Sequence, residues 1–170
     1  MATTGDIICA TGEDEDIGLI PWVNPGNATA DDGAEATAVG TSNLLIARNY
    51  SFSIPGGSEI LGFTVKVEAR ETSIPATVTL NAQLRTGVGA LVGSAKTAAV
   101  AGAVATVYTL GSASDLWGWT PVLATITGTS FGVAFSIAGL TMFIDYVSMA
   151  VEYREVGGGN PVILRAGCVL

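Results

Sequence analysis

Alternation with a period of two is the feature that most limits how this chain can fold. Phe63, Val65, Val67 and Ala69 alternate with Thr64, Lys66, Glu68 and Arg70, and Val78, Leu80, Ala82 and Leu84 alternate with Thr79, Asn81, Gln83 and Arg85. The pattern returns at Phe131, Val133, Phe135 and Ile137, and again at Val147, Met149, Val151 and Tyr153. Successive side chains on a strand point to opposite faces, so each run has one wet and one dry face. Leu44–Ile54 and Val104–Leu110 read as further strands, and no run has the spacing of a helix.

Breakers separate the runs: "IPGGSE" at 54–59, "SIPA" at 73–76, "TGVGA" at 86–90, "GSASD" at 111–115 and "IAGLT" at 137–141. Short strands at this spacing, with no segment to supply crossover helices, predict an all-β chain, a single antiparallel β-sandwich or jelly roll. The uncharged stretch from Val122 to Ile144 is long enough to suggest a membrane helix, but its Thr, Ser and Gly content and its alternation favour strands. The expected division is an acidic N-terminal arm over 1–20, a sandwich over 21–156, and a glycine hinge with an apolar tail over 157–170. The tail, with Val162, Ile163 and Leu164, has strand-forming composition and is expected to add to an existing sheet, including that of a neighbouring subunit.

Charge narrows the function. The chain has 170 residues, a formal net charge of −8 and only 13% charged residues, which suggests that part of its exterior is buried against neighbours or membrane. The seven basic residues are scattered singly from Arg48 to Arg165, which argues against nucleic acid as a partner. No histidine occurs, so Ser-His-Asp, Cys-His and His-metal chemistry are excluded. A carboxylate pair for glycoside hydrolysis is not apparent, because most acidic residues precede Arg48 and lie outside the strand pattern.

"GEDEDIG" at 12–18 and "DDG" at 31–33 offer oxygen ligands for a hard cation, without EF-hand spacing; a solvated acidic surface is the plainer reading. No catalytic, cofactor or metal-binding residue is assigned. A Cys9–Cys168 disulfide would require the termini to meet, and two free thiols in a reducing cytosol is the simpler expectation. Met1 is followed by no charged and apolar leader, so synthesis in a cytoplasm is expected. "SDLWGWTP" places Trp117 and Trp119 on one side if the segment is extended, which makes them candidates for interface or glycan contact as well as for core packing.

"PWVNPGNATADDG", "NYSFSIPGGSEILGFTVKVEAR", "SDLWGWTP", "SFGVAFSI" and "IDYVSMAVEY", in that order, resemble a group of small β-sandwich structural proteins of tailed bacteriophage virions. The resemblance covers roughly 21–153 and its motifs mark structure. It implies a capsid decoration (cement) protein on the outer shell, made in the host bacterial cytoplasm, with the major capsid protein and its own copies, as a homotrimer, for partners. The alternative is a carbohydrate-binding head-fibre or tail module for host attachment. A polysaccharide-degrading enzyme is a third reading, disfavoured by the missing histidine.

Overall fold

The computed structural model describes residues 1–72 and 76–156. Among these residues eleven strands form: β1 (Ala2–Thr3), β2 (Ile7–Ile8), β3 (Thr11–Glu15), β4 (Ala36–Val39), β5 (Leu44–Arg48), β6 (Glu59–Glu71), β7 (Thr77–Gly87), β8 (Ala90–Ala101), β9 (Thr106–Ser112), β10 (Gly132–Ala138) and β11 (Thr141–Arg154). They make two antiparallel sheets. In the first, β11 pairs with β6 and β6 with β9, while β4, β2 and β1 each pair with β11; in the second the order is β3-β5-β10-β7-β8. The result is a β-sandwich of jelly-roll type, as the alternation predicts.

The dry faces of the predicted runs are the core. Phe63, Val65 and Val67 of β6 and Val147, Met149 and Val151 of β11 are fully buried, as are Leu80 and Leu84 of β7 and Val133 and Phe135 of β10. Each such side chain contributes roughly 1.5–3 kcal/mol on leaving water. Polar partners in the same strands, such as Lys66, Glu68 and Gln83, face outward and are partly exposed.

Three expectations need correction. Residues 1–15 are not an arm: Ala2 and Thr3 pair with Tyr153 and Glu152, Ile7 and Ile8 with Met149 and Ser148, and Thr11 to Glu15 with Arg48 to Leu44. The chain passes from one sheet to the other at Cys9 and Ala10, whose N–H groups donate to the carbonyls of Val147 and Asn49. The acidic groups there, expected to lie outside the strand pattern, are tied to it, since Asp6 meets Lys66, Glu13 meets Arg48 and Glu15 meets Arg85.

The strand expected over Leu44–Ile54 stops at Arg48, because Asn49 and Ser51 take left-handed backbone (φ 63° and 54°) that a ladder does not accommodate. The stretch from Val122 begins with a single helical turn, α1 (Leu123–Ile126), and continues into β10 and β11; among the described residues no helix is long and apolar enough to cross a membrane. Val162, Ile163, Leu164 and Cys168, with the whole 157–170 tail, lie outside the described residues.

β8 is the long strand that alternation does not reveal. Three of its residues, Gly93 to Ala95, stand against Gln83 alone, between the pairs Leu84–Val92 and Ala82–Lys96. That bulge breaks the period. Gly93, at φ 69°, is required there, since a Cβ would lie 2.3 Å from the Trp117 carbonyl oxygen.

Candidate functional site

The two tryptophans singled out by sequence do not form a surface pair. The segment between them is a tight turn, with Trp117 at φ 56° and Gly118 at φ 69°, so the same-side geometry of an extended chain does not arise. Trp117 is 0% exposed. Its Nε1 donates to the Phe63 carbonyl at 3.0 Å, its backbone N–H to Asp115 Oδ1 at 2.7 Å, and its carbonyl accepts from Ser94 N–H at 2.6 Å. This corrects the expectation of a contact surface at Trp117: the indole offers no face to a sugar or a partner.

Trp119 is half-buried and belongs to an aromatic cluster closing that end of the sandwich. Its ring stacks on Phe63 (6.1 Å) and Phe131 (5.8 Å), and Phe131 continues the contact to Phe52, which stacks on Tyr50. The third tryptophan, Trp22, is buried too. Its Nε1 donates to the Asn43 carbonyl and its backbone N–H to Asp14, whose other oxygen accepts from the Asn43 amide. The backbone N–H of Trp22 and the side-chain amide of Asn43 explain why Asp14 of "GEDEDIG" turns inward.

The outer face of the five-stranded sheet carries a charge-balanced network beside a shallow groove. Arg48 holds Glu13 through both Nε and Nη2 (2.6 and 3.0 Å). Arg85, only 2% exposed, pairs with Glu15 at 2.9 Å and stands 3.6 Å from Glu13. The Arg48 guanidinium holds the Glu13 carboxyl below the usual range, chiefly by hydrogen bonding, with the charges of Arg48 and Arg85 adding to it. Neighbouring rows place Asn81, Gln83 and Ser136 over Leu44 and Ala134, lining a groove of about 50 Å³. That is small beside the roughly 300–1,000 Å³ of an enclosed ligand pocket.

On the outer face of the other sheet, Asp31, Glu68 and Asp145 come together, with one oxygen of each within 4.8 Å of the others. Asp145 is buried and Asp31 exposed. Of the two acidic stretches picked out in the sequence, "DDG" therefore contributes to a carboxylate cluster, whereas "GEDEDIG" supplies ion pairs and caps. Glu68 and Asp145 carry no local signal. Only the pairing of β6 with β11 and the loop across them bring these residues to Asp31.

No family model matches the chain, and no curated protein matches it. Solved structures with a similar fold include the following two. An arabinose-bound GH51 α-L-arabinofuranosidase aligns with a TM-score of 0.51 at 13% identity over 84% of this chain and 23% of its own. The CBM22-1–GH10 modules of Clostridium thermocellum endo-1,4-β-D-xylanase 10B, complexed with xylohexaose, align with a TM-score of 0.51 at 10% identity over 91% of this chain and 28% of theirs. The chain thus spans about a quarter of the length of each. At these identities the likeness is one of fold, and it defines the class: a jelly-roll β-sandwich module.

Proposed function

We propose that the chain is a non-catalytic structural module of a phage particle, a capsid decoration protein that seats on the outer shell and joins major capsid subunits, with its own copies as further partners. One observation carries the reading: from Thr86 to Ser114 the single charged residue is Lys96, and this stretch forms β8 and β9, the edge strands of the two sheets. Lys96 is itself paired with Asp115. Val88, Leu91, Val104 and Val107 are exposed along it. A long apolar edge with a single charge and, among the described residues, no strand beyond it is a surface that free monomers avoid and assemblies use. The order of motifs shared with virion sandwiches supports the same reading.

The test is binding of the full chain to undecorated capsids of the parent phage, with mass in solution measured by light scattering. Wild type is expected to bind, and Val104→Asp with Val107→Asp to lose binding while keeping its circular dichroism. A wild-type chain that leaves such capsids bare sinks the proposal.

A carbohydrate-binding module is the second reading, favoured by the groove in which Asn81, Gln83 and Ser136 offer amide and hydroxyl groups, and by a fold that in two other proteins accompanies arabinose or xylohexaose. Calorimetry against both sugars, with Asn81→Ala and Gln83→Ala as controls, tests it; heat lost in those variants supports it.

A further inference from the structure

The ladder between β6 and β11 slips once in the middle. Ile144 pairs with Ala69 and Val147 with Val67, so Asp145 and Tyr146 together stand against Glu68 alone. A bulge of this kind re-aims side chains. Without it Asp145 and Val147 would share a face; with it Ile144 and Val147 both enter the core, and Asp145 is left beside Glu68 on the outer side. The loop after Thr29 then lies over the bulge. Thr29 bridges to Tyr146, and Gly33 N–H donates to Asp145 Oδ2 at 3.1 Å, which brings Asp31 to the same place.

Among the described residues, three carboxylates converge there without a counter-charge. Each of the six described basic side chains is ion-paired to an acid outside this group: Arg48 to Glu13, Lys66 to Asp6, Arg70 to Glu35, Arg85 to Glu13 and Glu15, Lys96 to Asp115, and Arg154 to Glu59. Lys66 and Arg70 flank Glu68 on its own strand and still turn away to Asp6 and Glu35. A separate observation concerns Asp145 itself. The residue is 6% exposed, and its Oδ1 is buried with no hydrogen-bond partner among the described residues. A buried carboxylate oxygen left in that state is costly unless a cation or a proton meets it.

We propose that Asp31, Glu68 and Asp145 form a divalent-cation site of the calcium type, which fastens the 29–35 loop to the six-stranded sheet across the β11 bulge. Oxygens bound to Ca²⁺ at about 2.3–2.6 Å stand at most about 4.6–5.2 Å apart, which matches a group lying within 4.8 Å. Three carboxylates from a loop and two strands, in an irregular arrangement, suit the flexible coordination of Ca²⁺ better than the strict octahedron of Mg²⁺. Burial and the mutual repulsion of the acids hold Asp145 and Glu68 above the usual carboxylate range, the state that a bound cation reverses. The site is independent of the edge surface and of the groove.

The full chain, stripped with EDTA and dialysed, is titrated with CaCl₂ and separately with MgCl₂ up to about 10 mM, the range of weak structural sites. Melting temperature and calorimetric heat are read, and Tb³⁺ luminescence excited through tyrosine reports proximity to Tyr146. The expected result is one Ca²⁺ per chain, a raised melting temperature and a smaller response to Mg²⁺. Asp145→Asn is expected to weaken binding at least about tenfold. Asp31→Asn, at an exposed position, is expected to do the same in a chain that melts like wild type in EDTA, so a poorly folding Asp145→Asn leaves the test intact. No response to Ca²⁺ in the wild type overturns the site, and so does Ca²⁺ binding that Asp31→Asn leaves unchanged.

Discussion

A Cβ on Gly111 would stand 2.4 Å from Nε1 of Trp117. The indole lies directly over this glycine and donates to the carbonyl of Phe63, the residue opposite Ser112 on the paired strand. Gly93 makes the matching allowance on the other side, under the Trp117 carbonyl. Two glycines on different sheets thus leave the space that one buried tryptophan fills, and "LWG" is read as a plug between the sheets.

Trp117→Ala is therefore expected to cost about 3–5 kcal/mol, the usual effect of emptying a large buried aromatic site. Gly111→Ala is expected to be destabilising as well, because it meets both a clash and a φ of 77°. Trp119→Ala, at a half-buried ring, should cost less than Trp117→Ala. Urea unfolding of the three variants ranks them, and a Trp117→Ala chain as stable as wild type would show that the plug is dispensable.

The two arginines of the five-stranded sheet differ in burial and should differ in effect. Removing Arg85 leaves Glu15, whose side chain is 11% exposed, without its ion pair, and breaking a buried pair in this way costs about 3–5 kcal/mol. Arg48 and Glu13 are 27% and 38% exposed, so Arg48→Ala should cost about 1 kcal/mol or less. Equal losses in the two variants, measured by thermal or urea melts, would contradict this assignment.

The long strands were legible because hydrophobic burial on one face writes a period of two, as at Phe63–Ala69 and Val147–Tyr153. The short N-terminal strands were not. Ile7–Ile8 and Thr11–Glu15 are too brief to show a period, and the acids of β3 look like a solvated arm until Arg48 and Arg85 are placed beside them. β8 escaped because its bulge at Gly93 shifts the phase and most of its residues face solvent. Trp117 was visible but its role was not: burial depends on glycines at 93 and 111 that sit on other strands. The carboxylate cluster is non-local in the same way, since Glu68 reads as an ordinary outward residue of an alternating run.

The titrations split by sign. Arg48 lowers Glu13, and the Lys96 hydrogen bond, aided by Trp117 N–H, lowers Asp115; the folded state then binds fewer protons, so this stability is present above the ordinary carboxylate pKa and is lost as pH falls through the lowered values. Glu68 and Asp145 are raised, first by desolvation and then by Asp31, with Asp32 and Glu35 nearby and Tyr146 alongside; N–H groups of Gly33 and Asp32 partly offset this at Asp145. For these the folded state binds more protons, so stability is full at low pH and declines as pH rises above about 4. In EDTA, Glu68→Gln should remove part of that decline, so the variant gains on wild type from acidic to neutral pH. Urea melts across the range test it, and parallel curves for the two proteins would count against the coupling.

The last prediction follows from where Cys9 sits. It is 1% exposed, lies between β2 and β3 at the crossing from one sheet to the other, and its thiol donates to the Ala28 carbonyl at 3.3 Å. Burial pushes the thiol up to about 12, against the pull of backbone hydrogen bonds at Cys9 and Thr11. Compared with a free cysteine near 8.5, this lowers the thiolate fraction at pH 8 by roughly three orders of magnitude, and the thiolate is the reacting species. In a Cys168→Ser chain, Cys9 should resist iodoacetamide under native conditions, and its alkylation should follow opening of the strands that enclose it. Because β2 pairs with the central part of β11, that opening should need close to the full unfolding free energy. Mass spectrometry of alkylation against urea concentration gives the answer. Labelling that follows global unfolding places the N-terminal strands within the cooperative sandwich, whereas rapid labelling well below the unfolding transition would mean that residues 1–15 open on their own, as an arm would.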